Sequence, residues 1–209
     1  MGGETVEPSV PGRFHAYTVQ EPVGVAGLIV PWNAPFIIAC NKVSAALAAG
    51  STLVLKPAEL APMTCLKLAE LVHKAGFPDG AVNVVNGLGA EAGAALAAHP
   101  DVAKISFTGS TMTGKAIMRQ AADRVARISL ELGGKSPVIV FDDAYFVCAI
   151  FAVAMGIFAN SGQVCAAGSR LFVQSGIYDQ FMEGLCHFAA RLRLGPGEEE
   201  GHDLGPLIS

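Results

Sequence analysis

VGVAGLIVPWNAPFIIACNKVSAALAAGSTLVLK, residues 23–56, reads as strand, helix, strand. Val23–Val30 is a short apolar run rich in β-branched residues, ended by Pro31. Phe36–Ala49 is long and Ala-rich, and Gly50 supplies the C-terminal stop. Thr52–Leu55 is a second compact apolar run, the mark of a buried strand.

The alternation continues to the end. Pro62 opens a helix through Lys74 that Gly76 closes, Val82–Val85 is strand-like, and Ala90–Ala98 is helical up to Pro100. Lys104–Phe107 is expected as a strand and Thr111–Ala122 as a helix. Strands are expected at Ile128–Leu130 and Pro137–Phe141, a helix near residues 144–159, a strand at Leu171–Val173 and a helix at Tyr178–Leu192. Residues 195–203, rich in Gly and Glu, form a loop. Such a pattern predicts α/β architecture: a doubly wound parallel sheet with helices on both faces.

Composition removes several classes of function. The 209 residues are 52% hydrophobic and 15% charged, which excludes intrinsic disorder. The formal net charge is −4 and no basic cluster stands out, so neither nucleic acid nor an anionic membrane is expected as a partner. The first residues have no basic start and no apolar core, unlike a secretory leader, and Val6 stands where myristoylation wants Ser or Thr. The longest uncharged apolar run, Ala144–Ala159, has 16 residues, short for a membrane span, and is expected as a buried helix. Five cysteines without a Cys-x-x-Cys pair argue against a disulfide framework or a metal centre; most are expected as reduced core residues of a cytoplasmic protein.

In open parallel sheets, ligands sit beyond the carboxyl ends of the strands. Cys165 lies in Phe158-Ala-Asn-Ser-Gly-Gln-Val-Cys-Ala-Ala-Gly-Ser-Arg170, a polar bend that can expose a cysteine and stabilise its thiolate; an inert buried cysteine is the competing reading. Glu131, in Leu130-Glu-Leu-Gly-Gly-Lys-Ser-Pro137, is expected to be partly buried, which would raise its pKa toward that of a general base; the alternative is an ion pair with Lys135. Phe107-Thr-Gly-Ser-Thr-Met-Thr-Gly114 joins a strand to a helix, where its backbone N–H groups and hydroxyls would bind a phosphate or form an ordinary Ser/Thr cap. Lys56 and Glu59 are either ribose-binding residues or a surface pair. Asn33, between Pro31 and Pro35, has the rigidity an oxyanion-hole amide requires, or is an ordinary turn residue.

Taken together, LELGGKSP (130–137), FANSGQVCAAGSR (158–170), PWNAPF, KPAE and FTGST resemble, in order and spacing, the motifs of NAD(P)-dependent aldehyde dehydrogenases. The resemblance runs from about Gly24 to Ser209. It implies an N-terminal segment (1–22), a Rossmann-like NAD-binding domain (23–132) and the beginning of a second α/β catalytic domain (133–209). It implies Cys165 as nucleophile, Glu131 as the base acting on water, Asn33 as oxyanion donor and Lys42 near the nicotinamide end. Lys56 and Glu59 would hold the adenosine ribose, favouring NAD over NADP. Gly109 and Ser110 would meet the pyrophosphate, Trp32 and Leu132 the nicotinamide channel, and Gly89 and Gly93 the adenine side. The substrate would be a small aldehyde, with 99–115 most similar to enzymes for phenylacetaldehyde-type substrates. Family members are longer and homo-oligomeric, so truncation at both ends is expected, with the later Glu-x-Phe-Gly-Pro-like motif absent. Two further readings stand beside this one: a catalytically silent remnant that binds nucleotide or a partner, and a CoA-acylating relative. Ser161 stands where relatives commonly carry glutamine.

Overall fold

Val25–Ile29 (β3) becomes the central strand of a five-stranded sheet because it buries both faces: Ala26, Leu28, Ile29 and Val30 are all buried. It pairs in parallel with Thr52–Lys56 (β4) on one side and Val102–Gly109 (β6) on the other. Val82–Val84 (β5) adds in parallel to β4, and Arg127–Leu132 (β7) closes the far edge, giving the order β5-β4-β3-β6-β7. Before these, Thr5–Val6 (β1) and Ala16–Tyr17 (β2) form a short antiparallel pair. This computed structural model describes residues 2–208.

The two faces of β3 meet different helices. Ala26, Leu28 and Val30 pack with Leu53 and Leu55 against Ala39 and Val43 of helix Pro35–Ala48 (α1) and Cys65 of helix Met63–Lys74 (α2). Gly27 faces the other way: a Cβ there would lie 3.2 Å from Leu96 of helix Ala94–Ala98 (α3). Helix Thr111–Ala122 (α4) packs beside α3 and on β6. The sheet is therefore doubly wound, as the alternation predicts. The chain leaves β3 first toward β4 and β5, then returns past it to β6. The strand order reverses between β3 and β6, and a crevice opens at such a switch point beyond the carboxyl ends. Pro31-Trp32-Asn33 and Thr108-Gly109-Ser110 follow those two strands.

The expected helix over 90–98 begins instead as a π-helical turn, Gly89–Gly93, before α3; two glycines in five residues relax the backbone there. Strand β6 starts two residues earlier than the apolar run suggests, because Val102 is itself buried against the sheet core.

This sheet belongs to a compact unit that ends at Glu131; a second begins at Leu132. In the second, Pro137–Val140 (β8) pairs in parallel with Arg170–Val173 (β9). Helices Phe146–Phe158 (α5) and Tyr178–Ala190 (α6) pack together through edge-on ring pairs, Phe146 with Phe181 at 5.7 Å and Phe151 with Phe188 at 6.1 Å. Gly184 permits the approach, since a Cβ there would come within 2.5 Å of Ile150 Cδ1. The core of this unit is Val140, Val153 and Phe181.

Two expectations fail here. Helix α5 is not buried: Tyr145 beside it is 88% exposed, Val147 79% and Phe151 55%, and of its residues just Val153 and Ala154 are buried. Its hydrophobicity exceeds what a two-stranded sheet and one helix can cover. Likewise most cysteines are not core: Cys65 is buried and Cys40 half-buried, but Cys148, Cys165 and Cys186 are exposed. Cys148 and Cys186 ride on the open faces of α5 and α6. Among the described residues, no helix is long and apolar enough to cross a membrane, and no cluster of three His, Cys, Asp or Glu could hold a metal ion.

Candidate functional site

In the first unit, the turn after β3 places Trp32 and Asn33, both half-buried, at the entrance to α1, with Pro35 in the helix's first turn. Lys42, two turns further along α1, points back to the sheet: its Nζ donates to Ser106 Oγ of β6 at 2.7 Å. Strand alternation puts Lys104 on the same face as Ser106. Lys104 Nζ donates to Ser129 Oγ of β7 at 2.9 Å, so Ser129, and with it Glu131 two residues on, share that face.

Glu131 differs from expectation. It is exposed, because the pleat turns Leu130 and Leu132 to one side, where they are half-covered, and Glu131 to the other at the sheet edge. Its carboxylate still acts on Lys42. Burial pushes the Lys42 ammonium below its ordinary 10.5, the charge of Glu131 draws it partly back, and the neighbouring Lys104 adds to the depression. One face of β6–β7 thus gathers two ammonium groups, two hydroxyls and one carboxylate. Ser106 and Ser129 were not anticipated from sequence; the alternation Lys104-x-Ser106 within an apolar strand is the signal that could have found them.

Beyond β4, Lys56 is buried to 2% exposure while Glu59 stays half exposed. Lys56 Nζ donates to Pro57 O at 2.8 Å and to Glu59 Oε2 at 3.2 Å. The Glu59 carboxyl is held below its usual range, first by its own backbone N–H, then by Lys56 and the Gly89 backbone, against a smaller cost of desolvation. Buried Gly93 lies against the stem of Lys56: a Cβ would sit 3.8 Å from its Cδ, an ordinary contact. The structure thus draws Lys56, Glu59, Gly89 and Gly93 into one neighbourhood.

Beyond β6, Ser110 caps α4, accepting from Thr113 N at 3.1 Å and donating to Thr113 Oγ1 at 2.9 Å. Gly109 just before it has no room for a side chain, since a Cβ would fall 2.5 Å from the Phe107 ring. Thr113 completes the Ser/Thr cap expected as the plainer reading of the Phe107–Gly114 stretch.

Cys165 and Leu132 belong to the second unit. Cys165 is exposed in the loop between α5 and β9. Ala167 N donates to Val164 O at 3.1 Å, and Gly168 N to Gly156 O at 2.9 Å, closing the base of that loop. The loop runs beside the glycines after Leu132: a Cβ on Gly134 would lie 3.9 Å from Cys165 O. Arg170 extends the contact, its N donating to Ser136 O at 3.2 Å and its Nε to Lys135 O at 2.9 Å. In the first unit, burial pushes the Cys65 thiol up, as suits a core cysteine.

Residues 1–209 match the aldehyde dehydrogenase family model, and the chain belongs to that family. It is 49% identical over 94% of its length to aminoaldehyde dehydrogenase 2, peroxisomal, of Malus domestica, covering 39% of that protein. It is 48% identical over its whole length to hydroxyisobutyraldehyde dehydrogenase of Mycolicibacterium austroafricanum, covering 41%. Among solved structures it superposes with TM-score 0.96 on betaine aldehyde dehydrogenase of Staphylococcus aureus in complex with NAD+, at 43% identity, covering all of this chain and 41% of that one. An aldehyde dehydrogenase of Bacillus cereus, also an NAD+ complex, gives TM-score 0.96 at 47% identity, covering all of this chain and 42% of that one. The chain thus spans about two fifths of the length of these relatives.

Proposed function

We propose that this chain carries the cofactor-binding and nucleophile-bearing part of an enzyme that oxidises an aldehyde to a carboxylic acid with NAD. Residues 23–132 form the NAD-binding domain in this reading, after an N-terminal segment over 1–22, and residues 133–209 part of the catalytic domain. The observation that carries it is an exposed cysteine in the family's own signature, Cys165, while Cys65 is sealed in the core. Membership of the family and the NAD+ complexes of the two structural relatives support it.

The residues fit the cofactor. The capped start of α4, with Gly109 stripped of side chain by the Phe107 ring, leaves room for a pyrophosphate against backbone N–H groups. Glu59, half exposed and with its carboxyl held below the usual range, would accept from a ribose diol and repel a 2′-phosphate, which favours NAD over NADP. Trp32 and Leu132 would line the nicotinamide end, and Gly89 and Gly93 the adenine side. When bound, the nicotinamide ring supplies the hydride acceptor.

The chain's own residues supply the rest. The Cys165 thiolate forms the bond to the carbonyl carbon, and the Asn33 amide and the Cys165 N–H receive the charge that develops on oxygen. Oxidation leaves a thioester on Cys165. Glu131 takes a proton from water as the water attacks that thioester, the carbon–sulfur bond breaks, and the thiolate returns. Lys42, whose proton is loosened by burial, is in turn held back by the charge of the Glu131 carboxylate.

Rapid mixing of protein, NAD and aldehyde tests the assignment. Glu131→Gln should slow thioester hydrolysis roughly 10²- to 10⁴-fold, the usual size of a general-base contribution, while keeping a single-turnover burst of NADH. Cys165→Ala should give neither burst nor turnover. Loss of the burst in Glu131→Gln with cofactor still bound would move Glu131 to an earlier step. No NADH from the parent chain, although it binds NAD, would favour the silent, nucleotide-binding reading instead.

A further inference from the structure

Three consecutive residues shortly before Cys165 adopt left-handed backbone: Asn160 (φ 52°), Ser161 (φ 55°) and Gly162 (φ 76°). Only glycine does so without steric cost; asparagine tolerates it, and serine less well. Such a turn needs something to hold it. Inside it, Asn160 Nδ2 donates to Gln163 O at 3.3 Å, and Gln163 Nε2 returns to Asn160 O at 3.2 Å. Outside it, the holding groups come from more than forty residues further along the chain. Ser161 Oγ donates to Gly205 O at 2.7 Å, and Ile208 N donates to Gln163 Oε1 at 3.1 Å.

That distant segment is itself anchored. Gly195 N donates to Leu204 O at 3.1 Å, Leu204 N to Arg193 O at 3.2 Å, and Arg193 N to Asp203 Oδ2 at 3.0 Å. At the other end the Cys165 loop is closed by Gly168, which has no room for a side chain because a Cβ would fall 2.5 Å from Val138 Cγ2. The loop is therefore tied at its base by Gly156 and Gly168, and its strained turn is tied within itself and across to residues 205–208. The Ser161 hydroxyl makes the shortest of these bonds.

We propose that Ser161 and Gln163 are positioning residues: through them residues 205–208 clasp the left-handed turn and so present the Cys165 thiol. The proposal rests on the reading of Cys165 as nucleophile, but its test does not depend on turnover. In the clasped turn Cys165 is exposed. A released segment samples conformers in which neighbours such as Val164 cover the thiol, so release slows attack on a soluble electrophile.

Two measurements on the whole chain decide it: deuterium uptake of a peptide covering residues 159–166, and the iodoacetamide rate at Cys165 relative to Cys148 and Cys186 of the same molecule. Ser161→Ala should raise uptake in that peptide about fivefold and lower the relative Cys165 rate by about the same factor, the population change that one lost neutral hydrogen bond produces. Ser161→Asn, which tolerates the left-handed region and keeps a donor for the Gly205 carbonyl, should recover both. Unchanged uptake in Ser161→Ala would show that no clasp operates and would overturn the proposal. Raised uptake with an unchanged Cys165 ratio would overturn it too, because the turn would then not position the thiol. Should Ser161→Ala unfold the chain, seen as labelling of buried Cys65, Gln163→Met is read by the same two criteria. Failure of the aldehyde assay with these results intact would refute the role of Cys165 and leave the clasp standing.

Discussion

The two units spend similar apolar sequence on different ends. In the first, strands β3, β4 and β6 are covered on both faces, and Leu53, Leu55 and Ile105 are sealed. In the second, the most hydrophobic helix of the chain, α5, covers a two-stranded sheet with one side and leaves Val147, Phe151 and Met155 exposed on the other. Hydrophobicity of a segment reports how much surface it can bury. Whether it does so depends on how many elements surround it. A central strand has two neighbours in the sheet and helices above and below; α5 has one helix and two strands.

The contrast is broken or sharpened first by its cores. Leu55→Ala and Phe181→Ala each remove a fully buried side chain, one from each unit. Each should cost about 3–5 kcal/mol in urea unfolding. If Phe181→Ala costs less than about 1 kcal/mol, the second unit has no packed core, and the difference between the units is one of folding rather than of coverage.

Next comes the cap of α4. Ser110→Ala leaves Thr113 N without its acceptor and should cost about 1 kcal/mol, while Ser110→Asp should keep most of the stability. Weakened NAD binding in Ser110→Ala, measured by calorimetry, would tie the cap to the phosphate site; equal binding in both would separate them.

A smaller effect concerns Lys42. Its folded-state pKa lies below the ordinary 10.5, so between those two values the unfolded chain binds more protons than the folded one. Stability must therefore rise with pH across that window, and the cost of the buried ammonium is complete below it. NMR of ε-13C lysine should find Lys42 titrating below the ordinary 10.5, and Lys42→Met should flatten this part of the stability profile. Titration of Lys42 at its ordinary value would mean that water reaches it freely.

The smallest change in stability is expected on the open side of α5. Val147→Lys with Tyr145→Glu should shift the unfolding free energy by about 0.5 kcal/mol or less per residue, since both side chains are largely exposed. Self-association in light scattering should fall nonetheless, because exposed contiguous apolar surface drives it. A large loss of stability would show that this face is covered in solution.

Much of the fold was legible because period and punctuation agree. Helix α4 ends where the sequence says, at Thr111 and Ala122, since Ser110 caps it. The π-turn at Gly89–Gly93 was not legible, as no pattern of apolar residues distinguishes it from one more helical turn. Of the proposed site, the residues themselves could be named from their motifs. Their surroundings could not: Glu131 was expected between leucines in a half-buried place, yet adjacent residues of a strand point to opposite sides, and it is exposed.

The sequence by itself determined the order of elements, the parallel sheet and the motifs that mark the family, because these depend on local periodicity and on residue types at short spacing. Tertiary structure alone decided which groups meet across long stretches of chain. Lys42 reaches Ser106 across 64 residues, Lys104 reaches Ser129 across 25, and Ser161 reaches Gly205 across 44. Such bonds depend on the register of strands and the placement of loops, which follow from packing of the whole unit, and no local pattern in the chain encodes them.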